Sequence, residues 1–274
     1  MDLIDCHIHS DCSDDGRDSM LDMARASYYA GVRSLCFTDH VDLDDYRTGL
    51  PDPNCFSQRE RLRTAYREAI TSVPLDISVR LGVELGEGNH DPARAKAIAA
   101  APEFDFVLGS LHNVSGLPDF YCLDYNSEDE CKKLFELYVS ELLVLSKLDF
   151  YDSMAHIGYP VRYARRAGFH SAAINMSSFG DELTALLKNL IEGGRGIEVN
   201  TAGYRDERIA GPIPSPDILR RYRDLGGEIV TIGSDAHMVS HAAGGIRPGL
   251  QLLQRLGFSY VTFFENRRPR FIKL

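Results

Sequence analysis

The chain has 274 residues, of which 44% are hydrophobic and 26% are charged, and this composition excludes a disordered or collagen-like chain. Thirty Lys and Arg against forty Asp and Glu give a formal charge of -10. This balance disfavours a nucleic-acid-binding protein, because such proteins need basic residues to neutralise phosphates. The sequence has neither an apolar run of membrane-spanning length nor a signal-peptide pattern at its start. We therefore expect a cytoplasmic protein whose cysteines stay reduced.

Short apolar segments, rich in Val, Ile and Phe, alternate with amphipathic segments along the chain. The predicted strands are Leu3–Cys6, Ser34–Thr38, Ser78–Glu84, Phe106–Leu111, Tyr151–Ala155, Ile197–Asn200 and Glu228–Gly233. The predicted helices are Ser19–Ala30, Ser57–Thr71, Pro92–Ala100, Glu128–Lys147, Asp181–Ile191, Pro216–Leu225 and Gly249–Leu256. This alternation predicts an α/β fold with a parallel sheet, and the length favours a closed (β/α) barrel in a single domain over residues 1–274. An open doubly wound sheet is the alternative.

Histidines and carboxylates follow nearly all of the predicted strands. They are His7 and His9, Asp39 and His40, Glu84, His112, His156, and Asp235 and His237. In a parallel barrel the carboxyl ends of the strands meet on one face, where active sites lie. We therefore expect these side chains to converge.

Two of these motifs place possible ligands two positions apart. In an extended chain, His7 and His9 point to the same side, so that both imidazoles can bind one metal ion. Asp235 and His237 repeat this spacing with a carboxylate. Glu84 ends an apolar strand, where a carboxylate is costly unless it is paired with a cation or bound to metal. Its two oxygens can bridge two cations, which indicates a multinuclear cluster, whereas the alternative is an ordinary salt bridge.

The order HxH, DH, Glu, His, His and DxH, running from residue 7 to residue 237, resembles the polymerase-and-histidinol-phosphatase (PHP) family. The resemblance implies a distorted (β/α)7 barrel with three divalent metal ions. It implies a first metal site of His7, His9, Glu84 and Asp235, a second of Glu84, His112 and His156, and a third of His40, His237 and Asp15. Several relatives carry His at the Asp15 position, and Asp14 is a competing choice. Asp39 is expected to orient a ligand or hold the loop.

Two further segments resemble the histidinol-phosphate phosphatase branch of the family. They begin at His156 and Glu198 and place Arg162 and Arg205 where that branch binds the substrate phosphate. A guanidinium suits phosphate because its planar fork of donors matches the phosphate oxygens. The alternative for Arg162 is a solvated basic surface shared with the neighbouring arginines.

The implied reaction is hydrolysis of L-histidinol phosphate to L-histidinol and phosphate, in histidine biosynthesis. A hydroxide bridging two of the metal ions would attack the phosphorus in line. Asp235 or His237 would assist proton transfer to the leaving alcohol, or both are purely ligands. The ligands include no thiolate, which leaves Zn, Mn and Fe open.

Other functions remain open at this point. They are hydrolysis of a nucleotide, an oligonucleotide or phosphotyrosine by the same barrel, and a non-catalytic PHP scaffold. Asp42, Asp44 and Asp45 form an acidic run that is either solvated or faces an ammonium group of the substrate. We expect a small phosphorylated substrate, and neither nucleic acid nor a membrane as partner.

Overall fold

A mostly parallel β-sheet curls into a nearly closed barrel surrounded by helices. The structure is a computed structural model, and it describes residues 2–74, 76–171 and 175–274. Its strands are β1 (Leu3–Ile8), β2 (Val32–Phe37), β3 (His40–Asp42), β4 (Ser78–Gly86), β5 (Phe106–Ser110), β6 (Ser153–Met154), β7 (Gly196–Asn200), β8 (Val230–Gly233), β9 (Tyr260–Glu265) and β10 (Arg268–Lys273). Its helices are α1 (Met20–Tyr29), α2 (Cys55–Ala69), α3 (Pro92–Ala99), α4 (Glu128–Leu145), α5 (Val161–Arg166), α6 (Gly180–Glu192), α7 (Pro216–Asp224) and α8 (Ile246–Arg255).

Hydrogen bonding orders the described barrel strands as β1-β2-β4-β5-β6-β7-β8, and every pairing along this path is parallel. The first and last of these strands meet at their carboxyl ends. There the Asp235 amide donates to the His7 carbonyl (2.8 Å) and the His9 amide donates to the Ala236 carbonyl (2.9 Å). The predicted (β/α)7 barrel is confirmed, and the open-sheet alternative is wrong because β1 and β8 join.

The barrel strands are buried on both faces. Every residue of β1, β5 and β7 is buried, which explains why these strands read as continuous apolar runs rather than as an alternating pattern. The helices turn one face to the sheet, as α6 does with Leu183 and Leu187. Among the helices that the structure describes, none combines the length and apolar character that crossing a membrane requires.

The structure also contains β3, α5 and a β9–β10 hairpin, which the sequence pattern does not predict. β3 and α5 are too short, at three and six residues, to carry a recognisable periodicity. Asn266 and Arg267 form a two-residue connection between β9 and β10, and both have the positive φ that tight hairpin turns require.

The hairpin lies across the amino-terminal end of the barrel. The Arg267 Nε lies 2.6 Å from Asp152 Oδ2, and its terminal nitrogens donate to the Ala99 and Phe150 carbonyls at 3.0 and 2.8 Å. The Asn266 amide donates to Asp105 Oδ1 (2.8 Å). Since Asp105 and Asp152 directly precede β5 and β6, the hairpin covers the end opposite to the histidine-bearing one.

Candidate metal centre

The predicted ligand side chains all lie at the carboxyl end of the barrel. His7 and His9 flank Ile8, which ends β1 and is fully buried. β3 and β4 place His40 opposite Glu84 in parallel register. The remaining candidates lie in the segments after β1, β5, β6 and β8; they are Asp15, His112, His156, Asp235 and His237.

The first predicted group converges on a buried point. The His7 Nε2 lies 2.9 Å from His9 Nε2 and 3.0 Å from Glu84 Oε2. Asp235 Oδ1 lies 3.7 Å from His7 Nε2 and 3.5 Å from His9 Nε2. These side chains are between 0% and 10% exposed, so that little water competes for the donor atoms.

Glu84 faces the second predicted group with its other oxygen. Glu84 Oε1 lies 2.8 Å from His156 Nε2 and 3.1 Å from His112 Nε2, whereas Oε2 points to His7. Each carboxylate oxygen therefore meets a different set of imidazoles, which is the arrangement that a bridging ligand needs.

The third predicted group is more open to solvent. Asp15 Oδ2 lies 3.0 Å from His237 Nε2, and Asp15 Oδ1 lies 3.9 Å from His40 Nε2. Within the described residues, Asp14 forms no ion pair with an imidazole, and the geometry favours Asp15. His40 Nδ1 also lies 3.4 Å from Glu84 Oε2, which places His40 between Glu84 and Asp15.

The tautomers of His7 and His9 show that this donor set fits a cation. His7 Nδ1 lies 2.6 Å from Glu198 Oε1, which can only accept, and His9 Nδ1 lies 3.0 Å from Ser13 Oγ, whose hydroxyl donates to Asp39 (2.8 Å). We therefore assign both ring protons to Nδ1, which leaves both Nε2 atoms with lone pairs. Two lone pairs 2.9 Å apart repel, so that the pair calls for a positive charge, which a metal ion or a proton supplies.

The electrostatics of the centre also favour positive charge. Burial lowers the pKa of His9 to about 3, with further lowering by His237 and His40, and this keeps the ring neutral. Burial alone raises the pKa of Glu84, but the surrounding imidazoles, led by His7, outweigh it and hold that pKa well below its usual value. Burial lowers the pKa of His7, but the carboxylates around it, led by Glu198, outweigh this effect and raise that pKa. The cluster therefore attracts positive charge, which a bound metal ion supplies in place of the ring protons.

Asp39 supports the centre through two serines. Its Oδ1 accepts from the Ser10 amide (2.6 Å) and the Ser13 hydroxyl (2.8 Å), and its Oδ2 accepts from the Ser10 hydroxyl (2.9 Å). Because Ser13 contacts His9, Asp39 both holds the loop after β1 and orients a ligand candidate.

Glu198 is a residue of this centre that sequence reasoning missed as a functional group. It is buried in β7, where Oε1 accepts from His7 and Oε2 accepts from the His156 amide (2.9 Å). A carboxylate inside an apolar strand was the signal that singled out Glu84, and it applies equally to Glu198.

The acidic run after His40 is engaged with neighbouring residues. Asp42 Oδ1 lies 3.5 Å from His112 Nδ1, on the side of that ring away from Glu84. Asp44 Oδ2 pairs with His90 Nδ1 (2.7 Å), and Asp45 Oδ1 accepts from the Thr48 amide (3.0 Å). Each of these carboxylates therefore already has a partner within the protein.

Comparison with known proteins identifies the family to which the chain belongs. The PHP domain profile matches residues 5–202, a stretch that contains every predicted ligand except Asp235 and His237. The chain belongs to the PHP domain family. The described residues of this PHP barrel form clusters of His, Asp and Glu whose ligand atoms are close enough together to hold metal ions.

Full-length relatives and a solved structure resemble this PHP chain. It is 28% identical over 273 residues to the "Probable histidinol-phosphatase" of Clostridium acetobutylicum, covering 98% of this chain and 99% of the relative. It is 23% identical to the "Histidinol-phosphatase" of Lactococcus lactis, covering 98% and 96%. A crystal structure of the L. lactis histidinol phosphate phosphatase with zinc, L-histidinol and phosphate has a TM-score of 0.75 at 22% identity and covers 98% of each chain. This likeness shows the same fold.

The two arginines predicted to bind phosphate differ in this PHP structure. Arg162 Nη2 lies 3.7 Å from Asp235 Oδ2, and its Nε and Nη2 are buried without a hydrogen-bond partner among the described residues. Arg205 instead donates through Nη1 to the Ser234 carbonyl (2.6 Å) and through Nη2 to the Asp235 carbonyl (3.0 Å). Arg162 therefore has unpaired hydrogen-bond donors beside the metal centre. Both terminal nitrogens of Arg205, by contrast, donate to backbone carbonyls in the segment after β8.

Proposed function

We propose that this PHP protein is a metal-dependent phosphomonoesterase that hydrolyses L-histidinol phosphate to L-histidinol and phosphate, in histidine biosynthesis. The observation that carries the proposal is the position of Arg162, whose unpartnered donors lie beside a convergent metal-ligand cluster. Similarity over the full length to proteins named histidinol-phosphatase supports this substrate. So does the solved neighbour, which holds zinc, L-histidinol and phosphate.

The ligand clusters support three divalent ions, Zn, Mn or Fe, as the cofactor. The proposed ligands are His7, His9, Asp15, His40, Glu84, His112, His156, Asp235 and His237. When bound, such ions lower the pKa of a coordinated water and offset the negative charge of the phosphate. The protein itself contributes the orientation of each imidazole, through partners such as Glu198 and Ser13.

Arg162 and Arg205 are the arginines proposed for the phosphate site, where Arg162 contacts the phosphate and Arg205 positions the loop beside it. A guanidinium with free Nε and Nη2 atoms can donate two parallel hydrogen bonds to phosphate oxygens. Arg205 acts on the phosphate through the loop after β8, since its donors hold the carbonyls of Ser234 and Asp235.

Asp235 and His237 are the proposed groups for proton transfer to the leaving alcohol. Asp235 Oδ2 accepts from Asn200 Nδ2 (3.1 Å) and lies near Arg162, while Oδ1 faces the imidazoles. His237 is stacked on His9 with ring centroids 3.9 Å apart, and its side chain is 22% exposed. His237 is therefore the more exposed of the two groups, whereas Asp235 is buried against the cluster.

The proposal extends to the organisation of the chain. Residues 1–274 form a single PHP-type metallophosphoesterase domain, which acts in the cytoplasm on a small phosphorylated substrate. The net charge of -10 supports a small substrate that has an ammonium group over a nucleic acid with its many phosphates.

Turnover measured after chelation and after reloading with each metal tests this function. We expect phosphate release from L-histidinol phosphate to disappear on chelation and to return with Zn, Mn or Fe. Nucleotides, oligonucleotides and phosphotyrosine peptides are the comparison substrates. Activity that persists in protein shown by elemental analysis to be metal-free, or a higher kcat/KM for one of the comparison substrates, would contradict the proposal.

A further inference from the structure

We propose that Asp119 is the anionic contact for the positively charged leaving group, and that it sets the preference for phosphorylated amino alcohols over neutral phosphate esters. The inference rests on the proposed function, because it assumes that a phosphate monoester binds at the metal centre beside Arg162. It adds a residue that binds the ammonium group of the substrate, which lies outside the phosphate site.

Asp119 lies in the connection between β5 and α4, close in sequence to the ligand candidate His112. The Phe120 amide donates to the His112 carbonyl (2.9 Å), and the Asp119 amide donates to the Tyr46 carbonyl (2.8 Å). These bonds hold the segment against the mouth of the barrel. The position of the Asp119 carboxylate is therefore fixed relative to the metal centre.

One tyrosine ring separates Asp119 from the metal ligands. The Tyr159 ring lies 5.1 Å from the His112 ring and 5.0 Å from the His156 ring, measured between centroids. Its hydroxyl donates to Asp119 Oδ1 at 3.4 Å, and the Arg162 guanidinium lies over the same ring at 4.5 Å. Tyr159 thus contacts Arg162, the residue proposed to bind the phosphate, through its ring face, and it contacts Asp119 through its hydroxyl.

The Asp119 carboxylate has no cationic partner in the described part of the chain. Its Oδ1 accepts from the Tyr121 amide (2.6 Å) and from Tyr159, whereas Oδ2 accepts no hydrogen bond from a described residue. The residue is half-buried. A carboxylate partly removed from water is costly without a cation nearby, and Asp42 and Asp44, by contrast, each lie within ion-pair distance of an imidazole.

The substrate of the proposed function supplies the missing charge. L-histidinol phosphate has a phosphate dianion and, on the adjacent carbon, an ammonium group. Arg162 and Asp119 present the opposite charges next to the same residue, Arg162 over the ring face of Tyr159 and Asp119 at its hydroxyl. This pairing of charges gives specificity because a neutral alcohol leaves the carboxylate without a partner.

A competing role for Asp119 is local capping, since Tyr121 lies in the short 3₁₀ turn Phe120–Cys122 that follows Asp119. Asp119→Asn separates the two roles, because asparagine is an equally good capping residue but has no charge. If Asp119→Asn does not fold, Asp119→Ser is used in its place, because serine also retains a capping oxygen. Asp91→Asn is the matched control, because exposed Asp91 likewise caps a helix, at the Arg94 amide (3.0 Å).

The experiment compares 2-aminoethyl phosphate, ethyl phosphate and L-histidinol phosphate as substrates of the metal-loaded proteins. We expect the wild type to prefer 2-aminoethyl over ethyl phosphate by about tenfold or more, as the loss of a hydrogen bond to a charged group implies. In Asp119→Asn the ratio of the two kcat/KM values should fall to about one. Calorimetric titration with L-histidinol should show about tenfold weaker binding to that variant, and Asp91→Asn should match the wild type.

The outcomes distinguish this inference from the proposed function. If Asp119→Asn keeps the wild-type preference for the charged substrate, or loses activity equally on both simple esters, the inference is wrong even when L-histidinol phosphate is a good substrate. If the preference depends on Asp119 but L-histidinol phosphate is not hydrolysed, the inference stands for another phosphorylated amino alcohol and the proposed function fails.

Discussion

Glu198 shows how one buried carboxylate orients two ligand candidates at once. Its Oε1 accepts from His7, and its Oε2 accepts from the His156 amide. The contact to His7 fixes which ring nitrogen points into the cluster, and that choice determines whether the imidazole can bind metal. The geometry of the metal centre therefore depends on residues that touch no metal themselves.

Replacing Glu198 by Gln should impair metal binding while preserving the volume of the side chain. The amide can accept from His7 but then presents an NH2 group to the His156 amide, so one contact is lost. We expect a drop of about 10- to 100-fold in metal affinity or in kcat/KM, measured by metal titration and phosphate release. Glu192→Gln, at an exposed position at the end of α6, is the control. Unchanged metal affinity and activity in Glu198→Gln would show that His7 is oriented in some other way.

The two arginines should respond differently to substitution by Lys, which keeps the charge but removes the planar fork. Arg162→Lys should weaken inhibition by inorganic phosphate about tenfold with little change in Tm, because its free donors face the cluster. Arg205→Lys should lower Tm, since three of its hydrogen bonds go to backbone carbonyls. If the inhibition constant for inorganic phosphate changes more in Arg205→Lys than in Arg162→Lys, Arg205 rather than Arg162 contacts the phosphate directly.

At the scale of elements, His90 joins the connection after β4 to helix α4. Its Nδ1 pairs with Asp44 (2.7 Å), and its Nε2 forms a short contact with Glu141 of α4. Burial lowers the pKa of His90, but these two carboxylates outweigh it and raise the pKa to about 10. An imidazolium between two carboxylates thus ties a strand end to a helix outside the metal centre.

The contribution of His90 to stability should depend on pH. Because the pKa is raised in the folded state, the contribution is complete below about pH 6.5, the ordinary pKa of His. It is lost as the pH rises through about 10. His90→Gln should lower the free energy of unfolding by about 3 kcal/mol near pH 6 and by little above pH 10. Denaturant unfolding across this range measures the difference, and a difference independent of pH would refute the ion pairing.

At the scale of the whole molecule, the two ends of the barrel have separate roles. The carboxyl end holds the ligand candidates, whereas the β9–β10 hairpin covers the amino-terminal end through Arg267. Residues at the latter end of such barrels serve stability rather than catalysis.

Arg267→Ala should therefore destabilise the protein without changing the chemistry. We expect a loss of about 2–3 kcal/mol in the free energy of unfolding, because the bonds to Asp152 and two carbonyls involve a charged donor. The kcat of the folded variant should equal that of the wild type. Arg268→Ala, at the exposed neighbouring position, is the control, and a reduced kcat in Arg267→Ala would show that the two ends are coupled.

Much of the barrel was predictable because its strands are buried on both faces and read as apolar runs. The ligand candidates were predictable because parallel strands bring their carboxyl ends together. Glu198 was missed as a functional group although it carries the same signal as Glu84, a carboxylate inside an apolar strand. The engagement of Arg205 with backbone carbonyls was also not predictable, since only the folded loop after β8 brings those carbonyls within reach. Short elements such as β3 have too few residues for a pattern.

The join between β1 and β8 has a consequence for the apoprotein. A backbone hydrogen bond connects these strands at His7 and Asp235. The side chain of Asp235 also approaches those of His7 and His9. A cation held there would link the first and last strands of the barrel. Stripping the metal should therefore accelerate amide hydrogen exchange at His9 and Asp235 before it does so in β4 and β5, and the opening of the barrel should begin along this line.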